Sequence, residues 1–131
     1  MQQTTNNKRE FRFQKFPVYN DIRKFIKDIF SITSKFPTKY QYDLGSQIRR
    51  AAISILLNLA EGSGRNSDKD FNRFILIGLG SIYEVVAGLD IALDNELISK
   101  EEYQKLYEKA ESIKKQLGGL SKTLKVACRK S

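Results

Sequence analysis

Apolar residues recur along most of this 131-residue chain at the three- and four-residue spacing of an amphipathic α-helix. Short polar links separate four such stretches, and no stretch alternates with the two-residue period of a strand. The pattern predicts four helices, over residues 17–34, 43–62, 67–96 and 99–126. Because short links join neighbouring antiparallel helices, the predicted fold class is an all-α, up-down-up-down four-helix bundle.

Residue types at the helix ends support these boundaries. Pro17 is favoured in the first turn of a helix, and Pro37 ends any continuation of the first helix. Asp43 is expected to cap the second helix. Ser67 and Ser99 are each followed three residues later by an acidic residue, as in a capping box.

The length is that of one domain. We expect a flexible basic N-terminal arm over residues 1–15, the bundle over residues 16–127 and a basic C-terminal tail over residues 128–131. No apolar run approaches the roughly 20 residues that a membrane span needs, so no membrane partner is expected. The first ten residues are polar and lack the apolar core of a signal peptide, which predicts a cytoplasmic location.

The second helix has more apolar surface than one bundle core needs. Ile53 and Leu57 point away from its main apolar face, and Ile77 does the same in the third helix. In a single copy this surface would be exposed, so we expect a homo-oligomer with these three residues at the interface. The alternative is that the N-terminal arm folds back, with Phe11, Phe13 and Phe16, and covers the ridge.

A polar stripe flanks the apolar face of the second helix. Partly buried polar groups need partners, and an Arg50–Glu84 pair is expected if the second and third helices are antiparallel. The stripe is either a structural network that fixes helix register or an acid–base site with Glu61 and Glu84; the structural interpretation is favoured. The predicted network comprises Gln47, Arg50, Ser54, Asn58, Glu61, Arg65, Ser81 and Glu84.

The composition excludes several kinds of chemistry. The chain has no histidine and one cysteine, Cys128, which rules out histidine-based acid–base catalysis, histidine-containing metal sites and an internal disulfide. The segment Gly62–Arg65 is glycine-rich but lacks the Gly-Lys-Ser/Thr ending of a phosphate-binding loop. We therefore expect a protein that is not an enzyme and that holds neither a cofactor nor a metal.

The charge points to a polyanionic partner. The net charge is +8, and the basic excess lies in residues 1–42 and 99–131. Nucleic acid is the first candidate partner, although the charge could serve solubility alone. Phe11 and Phe13 lie between basic residues and could stack on unpaired bases or pack on the bundle. The candidate nucleic-acid contacts are Arg12, Arg23, Lys24, Lys27, Lys114, Lys115, Lys122, Lys125, Arg129 and Lys130.

The segment from Gln47 to Arg65, QIRRAAISILLNLAEGSGR, resembles the signature of the bacterial four helix bundle protein family. That family includes proteins encoded in intervening sequences of 23S rRNA genes and has been catalogued as ribosomal-protein-like. The resemblance covers roughly residues 16–124. One departure is Ile77-Gly78-Leu79, where members more often have alanine. The resemblance continues in the third helix at Phe71, Phe74, Gly80, Ser81 and Glu84.

The resemblance implies a homopentameric ring, RNA binding and no enzymatic activity. It also relates the chain in fold to the pentameric accessory protein of diversity-generating retroelements, which binds nucleic acid and a reverse transcriptase. We therefore expect a non-enzymatic, oligomeric nucleic-acid-binding protein that prefers RNA to DNA and binds through basic surfaces of the first and fourth helices. The alternative is a protein-interaction adaptor, or an accessory factor for a retroelement reverse transcriptase.

Overall fold

The computed structural model describes residues 11–130, with side chains described as far as residue 127. This part of the chain contains four long helices and no strand, so the all-α fold class is confirmed. A 3-10 turn, Arg12–Lys15, precedes the first helix. The long helices are α1 (Pro17–Thr33), α2 (Ser46–Ser63), α3 (Asp68–Asp94) and α4 (Lys100–Lys130).

The link between α1 and α2 differs from the prediction. A short helical turn, Thr38–Tyr40, leads into a π-helical turn, Gln41–Gly45, which continues directly into α2. Asp43 was expected to cap α2, and that prediction is wrong. Because Gly45 already has helical backbone angles (φ −58°, ψ −47°), no side chain caps this helix. The Asp43 carboxylate accepts a hydrogen bond from the neighbouring backbone N–H of Leu44.

The predicted caps of α3 and α4 are confirmed. Ser67 Oγ accepts a hydrogen bond from the Asp70 backbone N–H at 3.1 Å. Ser99 and Glu102 form a reciprocal capping box, in which each side chain accepts a hydrogen bond from the other residue's backbone N–H, at 3.0 and 2.9 Å. The helical backbone of α4 reaches Lys130, so residues 128–130 extend the helix and do not form a separate tail.

The core lies between all four helices, since α2 packs on α1 and α3, and α4 packs on α3 and α1. Two glycines allow α2 and α3 to approach closely. A Cβ atom on Gly62 would lie 2.8 Å from Phe71 Cδ1, and one on Gly88 would lie 2.6 Å from Ile48 Cγ1. The largest fully buried side chains are Phe25, Phe71, Ile22, Ile29, Ile48, Ile55, Leu59, Ile75, Leu89, Ile113, Leu117 and Val85.

Helix α3 is apolar on its outer side as well as its inner side. By length and composition alone it could cross a membrane, a test that the core helix of a soluble bundle also passes. The expectation that no apolar stretch is long enough to cross a membrane is therefore wrong. Only 39% of its most apolar 18-residue stretch is buried. The exposed apolar side chains of α3 are Leu76, Ile77, Tyr83 and Ile91.

Candidate nucleic-acid interface

The polar stripe of α2 meets α3 through a partly buried hydroxyl pair. Ser81 Oγ donates a hydrogen bond to Ser54 Oγ at 2.9 Å, and Asn58 Nδ2 donates to the same oxygen at 3.0 Å. Asn58 Nδ2 also donates to the Ser54 carbonyl oxygen at 2.8 Å. These three predicted network residues therefore satisfy one another inside the α2–α3 contact.

The other predicted network residues form separate pairs. Gln47 Nε2 donates to Glu84 Oε2 at 2.7 Å, and Arg65 Nη2 donates to Glu61 Oε2 at 2.6 Å. The predicted Arg50–Glu84 pair is wrong, because Gln47 occupies the Glu84 carboxylate. Arg50 is exposed and makes no polar contact within residues 11–127. The stripe is thus three local groups and not one continuous network.

Arg49 has a structural role that was not predicted from the sequence. Its guanidinium donates to Thr33 Oγ1 at 3.0 Å and to the Gln41 carbonyl oxygen at 3.2 Å. Gln41 Nε2 in turn donates to the carbonyl oxygens of Thr33 and Phe36 at 2.9 and 2.7 Å. A cation here donates hydrogen bonds to acceptors at the C-terminus of α1 and interacts favourably with the helix dipole. The available sequence signal was the helical phase of Arg49, which places it on the side of α2 away from the polar stripe.

Contacts between helices bring three basic segments to one end of the fold. Gln116 Nε2 of α4 donates to Asp21 Oδ2 of α1 at 2.8 Å. Ser121 of α4 donates to the Asn72 side chain near the start of α3. The first half of α1, the α2–α3 turn and the second half of α4 therefore lie together.

We call this region the basic half and define it as residues 11–24, 58–76 and 114–127. It contains eleven basic and four acidic residues, whereas residues 25–57 and 77–113, the acidic half, contain eight basic and ten acidic residues. The sequence had suggested that positive charge belongs to the two ends of the chain. In the fold the positive charge lies in one half of the molecule. The first part of α4 contains all the acidic residues of that helix, and the second part contains none.

The predicted nucleic-acid contacts are distributed unevenly over this surface. Lys27 lies in the acidic half, beside Asp28, whose carboxylate pairs with Lys109. The side chains of Arg129 and Lys130 lie outside the described residues. The remaining seven are exposed and belong to the basic half: Arg12, Arg23, Lys24, Lys114, Lys115, Lys122 and Lys125.

Three of these side chains, those of Arg12, Arg23 and Lys114, and two further arginines lie against aromatic rings. The Arg23 guanidinium lies 5.3 Å from the Tyr19 ring centre, and Lys114 Nζ lies 5.4 Å from that of Tyr83. Phe74 lies between two guanidiniums, those of Arg65 at 4.7 Å and Arg73 at 4.5 Å from its ring centre. Such cation–π contacts restrain the long side chains along the surface.

Arg73 was not predicted as part of any site. Asp70 lies between it and Arg65, with oxygen–nitrogen distances of 3.0 Å to Arg73 Nη2 and 3.7 Å to Arg65 Nε. The spacing of Asp70 and Arg73, three apart in one helix, was the available sequence signal. The arrangement fixes two guanidiniums at the α2–α3 turn.

The predicted oligomer-interface residues remain accessible in part. Leu57 is 60% exposed and Ile77 is 46% exposed, while Ile53 is half-buried. The 3-10 turn Arg12–Lys15 packs against α1 and α2, so residues 12–15 are not a free arm, but the turn leaves Leu57 uncovered. The alternative was that the N-terminal arm covers the second apolar face of α2. The described residues support it only in part, and residues 1–10 lie outside the described part of the chain.

Two concave surfaces differ in their lining. One, of about 380 Å³, lies between α1 and α4 in the acidic half and has both signs of charge, including Asp28, Lys35 and Glu102. The other, of about 780 Å³, lies between residues 11–13 and the C-terminal part of α2. Among the described residues, no three acidic or sulfur-bearing side chains lie close enough together to hold a metal ion.

Comparison with known proteins places this fold in a family. The chain is similar to the crystal structure of a protein with unknown function from the S23 ribosomal protein family of Bacteroides thetaiotaomicron, with a TM-score of 0.75 and 24% identity. The alignment covers 80% of this chain and 98% of that one, and it shows a shared fold. No curated protein matches. The family described as "23S rRNA-intervening sequence protein" matches residues 14–119. The resemblance in the Gln47–Arg65 segment is thereby confirmed, and the chain belongs to the 23S rRNA-intervening sequence protein family.

Proposed function

We propose that this protein is a non-enzymatic, cytoplasmic RNA-binding protein that acts as a homo-oligomer and contacts RNA through its basic half. The observation that carries the proposal is the separation of charge along the bundle, with eleven basic and four acidic residues in one half. A surface of this kind attracts a polyanion and orients it toward one end of the molecule. The family to which the chain belongs makes RNA the first choice among polyanions.

The expected binding mode follows from the side chains available. Exposed lysines and arginines neutralise phosphates and release counterions, so affinity should fall steeply with salt. No base-reading motif is present in the sequence, so the contacts of these cations should follow backbone shape and charge. If five copies assemble, as the family resemblance implies, the net charge of +8 per chain gives a ring of about +40.

The proposed assembly is a ring of antiparallel bundles. Contacts that run in opposite order along paired helices support the antiparallel arrangement: Gln47 bonds to Glu84 and Ser54 to Ser81, while Gly62 lies against Phe71. The exposed apolar side chains of α2 and α3 support self-association, because a monomer would leave them in water. We assign Ile53, Leu57 and Ile77 to the self-association surface, and a homopentamer is the proposed stoichiometry.

Two matched pairs of lysines test the proposal. Lys122 and Lys125 lie in the basic half, and Lys100 and Lys105 lie in the acidic half of the same helix. All four side chains are exposed, and none forms an ion pair within residues 11–127. The substitution pairs therefore remove equal charge from exposed, unpaired side chains of one helix.

The measurement is the Kd for a structured 23S rRNA fragment at near-physiological salt. Replacement of Lys122 and Lys125 by alanine should weaken binding by roughly tenfold or more, while replacement of Lys100 and Lys105 should change it by less than about threefold. Equal losses for the two pairs would mean that net charge, and not the basic half, governs binding. Absence of binding by the wild-type protein would overturn the RNA-binding function and favour a protein partner, such as a reverse transcriptase.

A further inference from the structure

We propose that the groove between residues 11–13 and the C-terminal part of α2 holds an unpaired base of a single-stranded RNA, stacked on the ring of Phe11. This inference rests on the proposed function and adds a ligand class and a site to it. A base with its attached phosphate is the occupant whose chemistry matches the groove, which is lined by aromatic rings and two guanidiniums.

The groove is an open, concave surface with a largely apolar lining. Its volume is about 780 Å³. Phe11 and Phe13 lie on one side and Ala60 and Ser63 of α2 lie on the other, and the groove meets the proposed self-association surface at Leu57. Arg12 and Arg65 also contribute to the lining, and Glu61 is the only acidic residue among the described residues that line it.

Phe11 differs from the other phenylalanines near the N-terminus. Phe13 packs edge-on against Tyr19 with ring centres 5.6 Å apart, and Phe16 packs against the buried Phe71 at 6.0 Å. Phe11 is 66% exposed, and its one ring contact among the described residues is Phe13, at 6.2 Å. Its ring is therefore free to cover a base, whereas the other two rings belong to the bundle.

The two arginines that line the groove are both restrained. The Arg12 guanidinium lies 5.0 Å from the ring centre of Phe71 and 5.7 Å from that of Phe16. Arg65 is held by Glu61 and by the ring of Phe74. Both are thus positioned before ligand arrives, which lowers the entropy lost on binding a phosphate. Charge complementarity favours a nucleic acid over an apolar peptide as the occupant.

Two oligonucleotides of equal charge separate stacking from ionic attraction. One is a ten-residue oligoadenylate, and the other is an abasic oligomer with the same backbone and length. The protein variants are Phe11→Ala and, as a matched control, Phe30→Ala, which removes an exposed phenylalanine from the acidic half of α1. Leu57 is left unchanged because it also belongs to the proposed self-association surface. Oligomer mass is measured for every variant.

The wild-type protein should bind oligoadenylate roughly tenfold to a hundredfold more tightly than the abasic oligomer. Phe11→Ala should remove most of that difference. The affinity for the abasic oligonucleotide and the mass of the protein assembly should both stay unchanged. Phe30→Ala should match the wild type for both ligands. In a Phe11→Trp variant, which gives the chain its single tryptophan, oligoadenylate should quench fluorescence and the abasic oligomer should not.

The outcomes separate this inference from the function on which it rests. Equal affinity of the wild-type protein for the two oligomers would overturn base stacking and leave ionic RNA binding intact. A loss of oligomer mass in Phe11→Ala would assign the groove to a second copy of the chain and also overturn the inference. If neither oligomer nor the rRNA fragment binds, the proposed function falls, and this inference falls with it.

Discussion

Ser81 on α3 donates a hydrogen bond to Ser54 on α2 across 2.9 Å, at a point where the Ser81 side chain is buried. The bond links two helices at a defined register, because a shift of either helix would leave both hydroxyls without this partner. Asn58 completes the group from the next turn of α2.

Ser81→Ala should lower the free energy of unfolding by about 1 kcal/mol, since it removes one partly buried hydrogen bond and creates almost no cavity. Chemical denaturation measures the change. The exposed Ser31→Ala in α1 is the control and should be neutral or slightly stabilising, because alanine is the better helix former. If the two variants are equally stable, the α2–α3 hydroxyl pair does not contribute to stability.

Gly62→Ala should be destabilising. The added Cβ would lie 2.8 Å from both Phe71 Cδ1 and Phe74 Cβ and 3.1 Å from the Phe71 carbonyl oxygen, so α2 and α3 must move apart. Overpacking of this kind costs about 1–3 kcal/mol. Gly119→Ala, in α4, is the matched control; it has open space around its Cβ and should stabilise the helix by about 0.5–1 kcal/mol. A Gly62→Ala protein with an unchanged denaturation midpoint would contradict the close approach of the helices.

The hydrogen bond of Tyr103 between α3 and α4 makes the stability of the fold depend on pH in the alkaline range. Its hydroxyl donates to the Asp90 carboxylate, and this hydrogen bond, with burial and the Asp90 charge adding to it, raises the pKa of Tyr103 from 10.0 to about 12. Since folding favours the protonated phenol, its contribution to stability is fully present below pH 10. The contribution is then lost as the pH rises from about 10 through 12.

Tyr103→Phe should therefore be less stable than wild type at pH 8, with a difference that narrows above pH 10. Denaturant midpoints between pH 8 and pH 11.5 test this, with Tyr42→Phe as a control for loss of a hydroxyl from a ring that is 87% exposed. A stability difference between Tyr103→Phe and wild type that stays constant across this range would show that the Asp90 hydrogen bond does not couple titration to folding.

Leu57→Asp should dissociate the proposed homo-oligomer. A carboxylate in a desolvated helix–helix contact is costly, whereas at an exposed position on a monomer it is not. Light scattering should give the mass of a dissociated but folded protein, with helical content retained by circular dichroism. Phe30→Asp, at another exposed apolar position, should keep the wild-type mass. An unchanged mass for Leu57→Asp would remove Leu57 from the interface.

Helix periodicity and capping chemistry were enough to predict the fold class and the starts of α3 and α4. Ser67, Ser99 and Glu102 act where their spacing placed them, because capping depends on local geometry. Asp43 did not, since a π-turn makes the preceding chain helical, and such turns leave no clear sequence pattern.

Pairing between helices was harder to predict. Helical phase shows which face of a helix a residue lies on, but it does not give the position along the neighbouring helix of the residue it contacts. The phase of Arg50 allowed a bond to Glu84, yet Gln47, one turn earlier, occupies that carboxylate. The separation into basic and acidic halves was hidden for the same reason. It depends on which part of α4 lies beside the α2–α3 turn, and the Ser121–Asn72 contact supplies that information.

The salt dependence of RNA affinity tests the central claim most directly. The Kd for a structured 23S rRNA fragment is measured between roughly 50 and 300 mM salt, on protein of known oligomer mass, beside a scrambled duplex of equal length. We predict that log affinity falls linearly with log salt, with a slope equivalent to at least about four phosphate contacts, and that replacement of Lys122 and Lys125 makes the slope shallower. A slope near zero, or no binding to either RNA at about 150 mM salt, would contradict the account.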